Sequence, residues 1–212
     1  MIDLKKVLIF FVTLIFLTSC SFNPSKKVED PFERINTLLI KLESYRADAT
    51  VNFYQHRFDS KHNVFQFYSK GKFRLEVLDE SGEIDKVIVN DGKRTYVFFK
   101  KVGQVFVSEN QKEIILFSMF SSFVKNYIEA GGEIEKKVLD NAYSVTVPIP
   151  ERNLFLYKEE VLFSKENLKP LEIRIFDINN TLFSKVVYTD FEYNPSLEEN
   201  LFQEDTVKES MR

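Results

Sequence analysis

The chain has 212 residues with 44% hydrophobic and 15% aromatic side chains, too apolar a composition for a disordered protein. Its formal net charge of -3, spread along the sequence, gives no basic face and excludes nucleic acid as a partner. A single cysteine excludes an internal disulfide, and 22 Phe with 9 Tyr and no Trp favour β-structure around a greasy interior.

Lys5 and Lys6 precede an apolar run, Val7 to Leu17, broken only by Thr13. The run is too short to cross a ~30 Å hydrocarbon core as a helix and reads as an export signal. It ends in Leu17, Thr18, Ser19 and Cys20, which resemble the lipobox of bacterial lipoprotein precursors. That resemblance implies cleavage between Ser19 and Cys20 and diacylglycerol attachment to the cysteine sulfur. Residues 1–19 are then a signal peptide and 20–29 a polar tether, with the membrane as partner through the N-terminal lipid.

"DPFERINTLLIKLES" predicts a helix from Pro31 to Ser44: Asp30 caps it, Pro31 suits its first position and Glu33 completes a capping box. Ile35, Leu38, Leu39, Leu42 and Tyr45 form its apolar stripe. From Arg46 the period changes to two. Six short strand-like runs follow, to about Glu109, joined by turn signals around Gly71, Gly82, Gly92 and Gly103. Phe73, Leu75 and Val77 alternate with Arg74 and Glu76, the pattern of a strand buried on one face.

"ENQKEIILFSMFSSFVKNYIEAGG" predicts a second helix, apolar on more than one side and stopped by Gly131 and Gly132. It is expected to lie across the concave face of the sheet. Further strands are expected in "EIEKKVLDN", "AYSVTVPIP", "LFLYKEEVLFS", "PLEIRIFDIN" and "TLFSKVVYTDFEYN". A short turn at Leu197–Phe202 and a loose tail over 204–212 complete the chain. The expected architecture is one α+β domain over 30–203.

This order of elements resembles the fold of LolA, LolB and RseB. That resemblance implies a strongly curved antiparallel half-barrel of about eleven strands, with an N-terminal helix and a second helix on its concave side. Three stretches, the lipobox at Leu17–Cys20, "DPFERINTLLIKLESYRADATV" and "VVYTDFEYNPSLEENLF", are similar to the clostridial spore-germination lipoproteins of the GerS family. The GerS resemblance implies a non-enzymatic partner that activates a cell-wall amidase of the CwlD type, which helps make the muramic-δ-lactam of spore cortex. It also implies a homodimer formed by strand exchange.

Catalytic chemistry finds little to stand on. An acylated Cys20 is no nucleophile, and no serine sits in a G-x-S-x-G or S-x-x-K context with support around it. His56, Asp59 and His62 flank the first hairpin and offer a three-ligand alternative for zinc; the solvated-loop reading is preferred, so no metal and no cofactor is expected. The carboxylates alternate with Lys and Arg as on a solvated sheet face. Leu38, Leu42, Phe73, Leu75, Val77, Phe117, Phe120 and Val124 line either a packed core or a lipid-sized cavity, the second being the carrier alternative. "RTYVFFKK" and "LFLYKEEVLFS" are the candidates for pairing with another chain, and periodicity allows either to be an internal strand instead.

Overall fold

Eleven strands form one antiparallel sheet in the order β6-β5-β4-β3-β2-β1-β11-β10-β9-β8-β7. The computed structural model describes residues 29–54, 59–108, 114–150 and 152–209. Chain contacts divide Met1–Asp30 from Pro31–Arg212, and the sheet and its helices lie in the second unit. The α+β class and eleven-stranded antiparallel sheet expected from sequence are those observed.

Helix α1 spans Pro31–Ile40 and stops short of Ser44. The reason lies at the other end of the chain: Asn194 Oδ1 accepts the Glu43 and Ser44 amides, and the Asn194 amide donates to Ser44 O. Those bonds draw Ser44 into β1 (Ser44–Phe53). β2 (Ser60–Ser69) and β3 (Lys72–Leu78) meet in a two-residue turn with Lys70 at φ 47° and Gly71 at φ 86°. Two positive φ angles in succession are the demand of a type I′ turn, and glycine meets the second without steric cost.

β4 (Ile84–Asn90), β5 (Thr95–Phe99) and β6 (Gln104–Ser108) continue the sheet to one edge. The second expected helix is divided. A 3₁₀ turn covers Ile114–Ser118, Met119 is extended, and α2 runs Phe120–Ala130; residues 109–113 lie outside the described residues. Gly131 closes α2 at φ 57° and ψ −115°, a conformation open mainly to glycine. β7 (Glu135–Val138) forms the other edge, followed inward by β8 (Ala142–Pro148), β9 (Lys158–Ser164), β10 (Pro170–Phe176) and β11 (Leu182–Tyr193). The "LFLY" expected to open β9 is a loop, because Asn153 Oδ1 accepts the Phe155 and Leu156 amides and turns the chain.

The main core lies between α1, α2 and one sheet face. Tyr45, Ala47 and Val51 of β1, Leu75 of β3, Val145 of β8, Phe163 of β9 and Val186 of β11 pack there against Ile35, Leu39, Phe120 and Phe123. The opposite face is covered at the β3–β5 end. A 3₁₀ turn (Glu199–Phe202) and α3 (Glu204–Glu209) cross it, and Val207 packs with Val87, Val89 and Phe98. Residues 204–209, within the expected tail, form a helix with Val207 in an apolar seat. One expectation is corrected here. Arg74 and Glu76 do not face solvent: Arg74 is 2% exposed, pairs with Glu76 at 2.6 Å and donates to Leu201 O at 3.3 Å.

A Val207→Asp substitution is expected to undock α3 and cost about 1.5–3 kcal/mol, the burial of one such side chain. Urea unfolding measures the loss, and limited proteolysis should cut the tail of the variant first.

Candidate functional site

The apolar residues named from sequence converge on the main core. Leu75, Val77, Phe120 and Val124 are buried within it, and Leu38, Leu42, Phe73 and Phe117 pack against it from its rim. The centre is a cluster of rings around Phe120. Its centroid lies 5.0 Å from Phe191, 5.7 Å from Tyr45, 6.0 Å from Phe123 and 6.3 Å from Phe163, mostly edge to face. These rings pack on one another at the helix–sheet interface.

A few polar groups are built into this interior, and sequence reading passed over them. Gln66 Oε1 accepts the Tyr45 hydroxyl and the Phe120 amide, each at 3.3 Å, while its Nε2 donates to Ser118 O at 3.1 Å. It thus satisfies the groups exposed where the chain breaks between the 3₁₀ turn and α2. Tyr45 OH in turn accepts the Ser121 amide at 3.2 Å. Burial holds the Tyr45 phenol well above its ordinary pKa, with the Ser121 bonds offsetting part of the shift.

Glu159 is the other. It is fully buried, accepts from Asn126 Nδ2 at 2.6 Å through Oε1, and has no protein partner at Oε2 among the described residues. Burial pushes its carboxyl up to about 8, offset in part by the Asn126 bond. Its signal in the sequence was a carboxylate on the apolar side of a period-two strand, in line with Val161 and Phe163. Asn126 also borders a surface recess of about 560 Å³, lined with Glu129, Glu133, Pro148, Pro150 and Arg152. Arg152 and Glu133 pair across it at 2.6 Å.

The histidine alternative is not assembled by the described residues. No group of three or more His, Cys, Asp or Glu is placed to hold a metal among them, and His56 lies outside them. Asp59 is exposed, and His62 sits edge-on to the Phe53 ring at 6.3 Å. Burial, then Lys86, lowers the His62 pKa. Cys20 and Ser19 also lie outside the described residues.

Charge and edges define the surface. On the β9–β11 side, Arg174 pairs with Glu172 at 2.8 Å and Glu160 at 3.5 Å, and Lys185 reaches Glu172 at 3.8 Å. These side chains are half-buried and form a connected set of ion pairs on this face. Both strands singled out for pairing are internal: "TYVFF" is β5 and "KEEVLFS" is β9. The edges are β6 and β7. β7 carries Glu135, Lys136 and Lys137, a charged edge of the kind that resists pairing. β6 instead exposes Phe106 and Val107. No helix among the described residues is long and apolar enough to cross a membrane.

The chain matches the family described as "Sporulation protein YdcC-like" over residues 4–202. No curated protein matches it by sequence. Among solved structures it is similar to an uncharacterized conserved protein from Thermus thermophilus, with 14% identity, 82% and 93% of the two chains covered and a TM-score of 0.52. It is also similar to a chain in the structure of the CwlD amidase from Clostridioides difficile in complex with the GerS lipoprotein, with 20% identity, 79% and 96% of the two chains covered and a TM-score of 0.49. A third is a LolA superfamily protein from Nitrosomonas europaea, with 12% identity, 81% and 98% coverage and a TM-score of 0.43. At these identities the likeness is one of fold.

Proposed function

The chain belongs to the YdcC-like family of sporulation proteins, and we propose that it is a lipid-anchored, non-enzymatic member that binds and activates a cortex-modifying amidase of the CwlD type. The observation that carries this reading is the apolar outer strand. β6 offers an exposed Phe106 and Val107 on an edge that no described strand covers, beside a core in which Phe120 packs among neighbouring rings. A strand of the partner adds to such an edge through main-chain hydrogen bonds, with side-chain contacts setting specificity. Family membership supports a role in sporulation. The similarity of the N-terminal helix region and of "VVYTDFEYNPSLEENLF" to GerS sequences supports the amidase as partner.

Activation follows from differential affinity. A partner that binds the active state of the enzyme better than the inactive one shifts the population toward it without supplying a catalytic group. The test is binding and amidase rate measured with and without the protein. Val107→Lys should weaken binding about tenfold by placing a charge on the pairing edge while leaving the fold intact. No binding by the unaltered protein, and no change in rate, overturns the proposal.

The anchor rests on Cys20 and the segment before it. Cys20→Ala should move the protein from the membrane to the soluble fraction. An unchanged fractionation, with no acylated N-terminal peptide by mass spectrometry, refutes acylation.

A further inference from the structure

One end of the sheet carries exposed apolar side chains that the proposed amidase edge does not use. The register aligns Phe53 with Ser184, Ser184 with Ile175, Ile175 with Glu159 and Glu159 with Val147. The end of β1, the β8–β9 loop and the β10–β11 turn therefore emerge together. At their tips Leu154 is 66% exposed, Phe155 62%, Ile178 52% and Tyr54 39%. Contacts join Leu154 to Ile178, and Tyr54 and Phe155 each to Phe183. Ile178 N donates to Leu154 O at 3.3 Å, Tyr54 N to Phe183 O at 2.9 Å, and the Phe155 and Phe183 rings lie 6.1 Å apart.

We infer that this end of the domain dips its Leu154, Phe155, Ile178 and Tyr54 side chains into the surface of a lipid bilayer. The inference rests on the acylation of Cys20 proposed above. Two features favour a bilayer over a protein. The first is the backbone. An apolar phase accepts a loop only if its polar groups are already paired. Here Asn153 Oδ1 takes the Phe155 and Leu156 amides, Asn153 N donates to Leu156 O, and Asp177 Oδ1 takes those of Asn179 and Thr181. Behind the tips, Arg152 lies over the Tyr157 ring at 5.3 Å and Lys158 over the Phe176 ring at 5.5 Å. Cations so placed suit the headgroup layer, although Arg152 also pairs with Glu133.

The second feature is chain length. From Cys20 to Pro31 the tether reaches at most about 3.5 Å per residue, so an anchored domain stays within some tens of ångströms of its bilayer. At that effective concentration a shallow insertion, too weak to hold the domain alone, is enough to orient it.

The protein has no tryptophan, so Phe155→Trp introduces a single reporter. The full chain, acylated in a bacterial host, is reconstituted into phosphatidylglycerol–phosphatidylethanolamine vesicles. Emission from the introduced indole should shift to the blue and fall by about half or more with lipids brominated near the headgroup, while Ile40→Trp, at the end of α1 shortly before β1 begins, stays unquenched. Adding Leu154→Asp and Ile178→Asp to the Phe155→Trp variant should remove the quenching and leave vesicle flotation unchanged. A Phe155→Trp protein that floats with its indole unquenched overturns the inference and leaves the anchor standing. If that emission then shifts only on adding the amidase, these loops belong to a protein interface. A protein that does not float at all overturns both readings.

Discussion

Phe120→Ala should destabilise the domain by about 3–5 kcal/mol, a large share of the roughly 5–15 kcal/mol typical of a whole domain. Phe120 is fully buried at the first position of α2 and touches rings from three strands, β1 (Tyr45), β9 (Phe163) and β11 (Tyr188, Phe191). Truncation removes the contacts of the ring and leaves a hole that neighbouring rings close only in part. The Phe120 amide keeps its bond to Gln66, because that bond is made by the backbone. Urea unfolding should show a lower midpoint with an unchanged slope. Phe106→Ala, on the exposed edge β6, is the matched control, with a shift within about 0.5 kcal/mol. Equal losses from the two would mean that α2 does not organise the core.

The reach of sequence reading was set by how local the determining contacts are. The strand series was legible because alternation and glycine turns act over neighbouring residues: Leu75 and Val77 face the core as their spacing implies. The end of α1 was not, because Ser44 is drawn into β1 by Asn194, far along the chain. The division before α2 depends in the same way on Gln66. The docked tail left a trace that alternation rules overlook. "VIVN" of β4 and "TYVF" of β5 are apolar or buried at consecutive positions, which is what a strand covered on both faces requires. The partner for that second face was Val207, in a segment with no pattern of its own. For the candidate site, the edge strands depended on the full strand order, which no local pattern encodes; "TYVFF" suits an edge or an interior strand equally by its pattern and lies one strand inside the edge.

Glu159 leads to the second large effect, a dependence of stability on pH that one substitution should remove. Its neighbours are Asn126 from α2, Val147 on β8 and Ile175 on β10, with Ser184 beyond on β11, and no cation pairs with it among the described residues. Its carboxyl is raised from 4.5 to about 8 by burial. In the unfolded chain the group ionises near its ordinary value, while in the folded domain it stays protonated to a much higher pH. Between those two values the folded state binds the extra proton. Stability therefore falls as pH rises, by roughly 1.4 kcal/mol per unit from this group alone, and the contribution is fully present only below the unfolded pKa. Glu159→Gln keeps the acceptor that Asn126 needs and cannot ionise. It should match the unaltered protein near pH ~4.5 and exceed it by several kcal/mol at about pH 8 and above. Urea midpoints measured across that range give the difference directly. A constant difference between the two proteins at every pH would mean that Glu159 is ionised in the fold, with a counter-charge brought to its free oxygen.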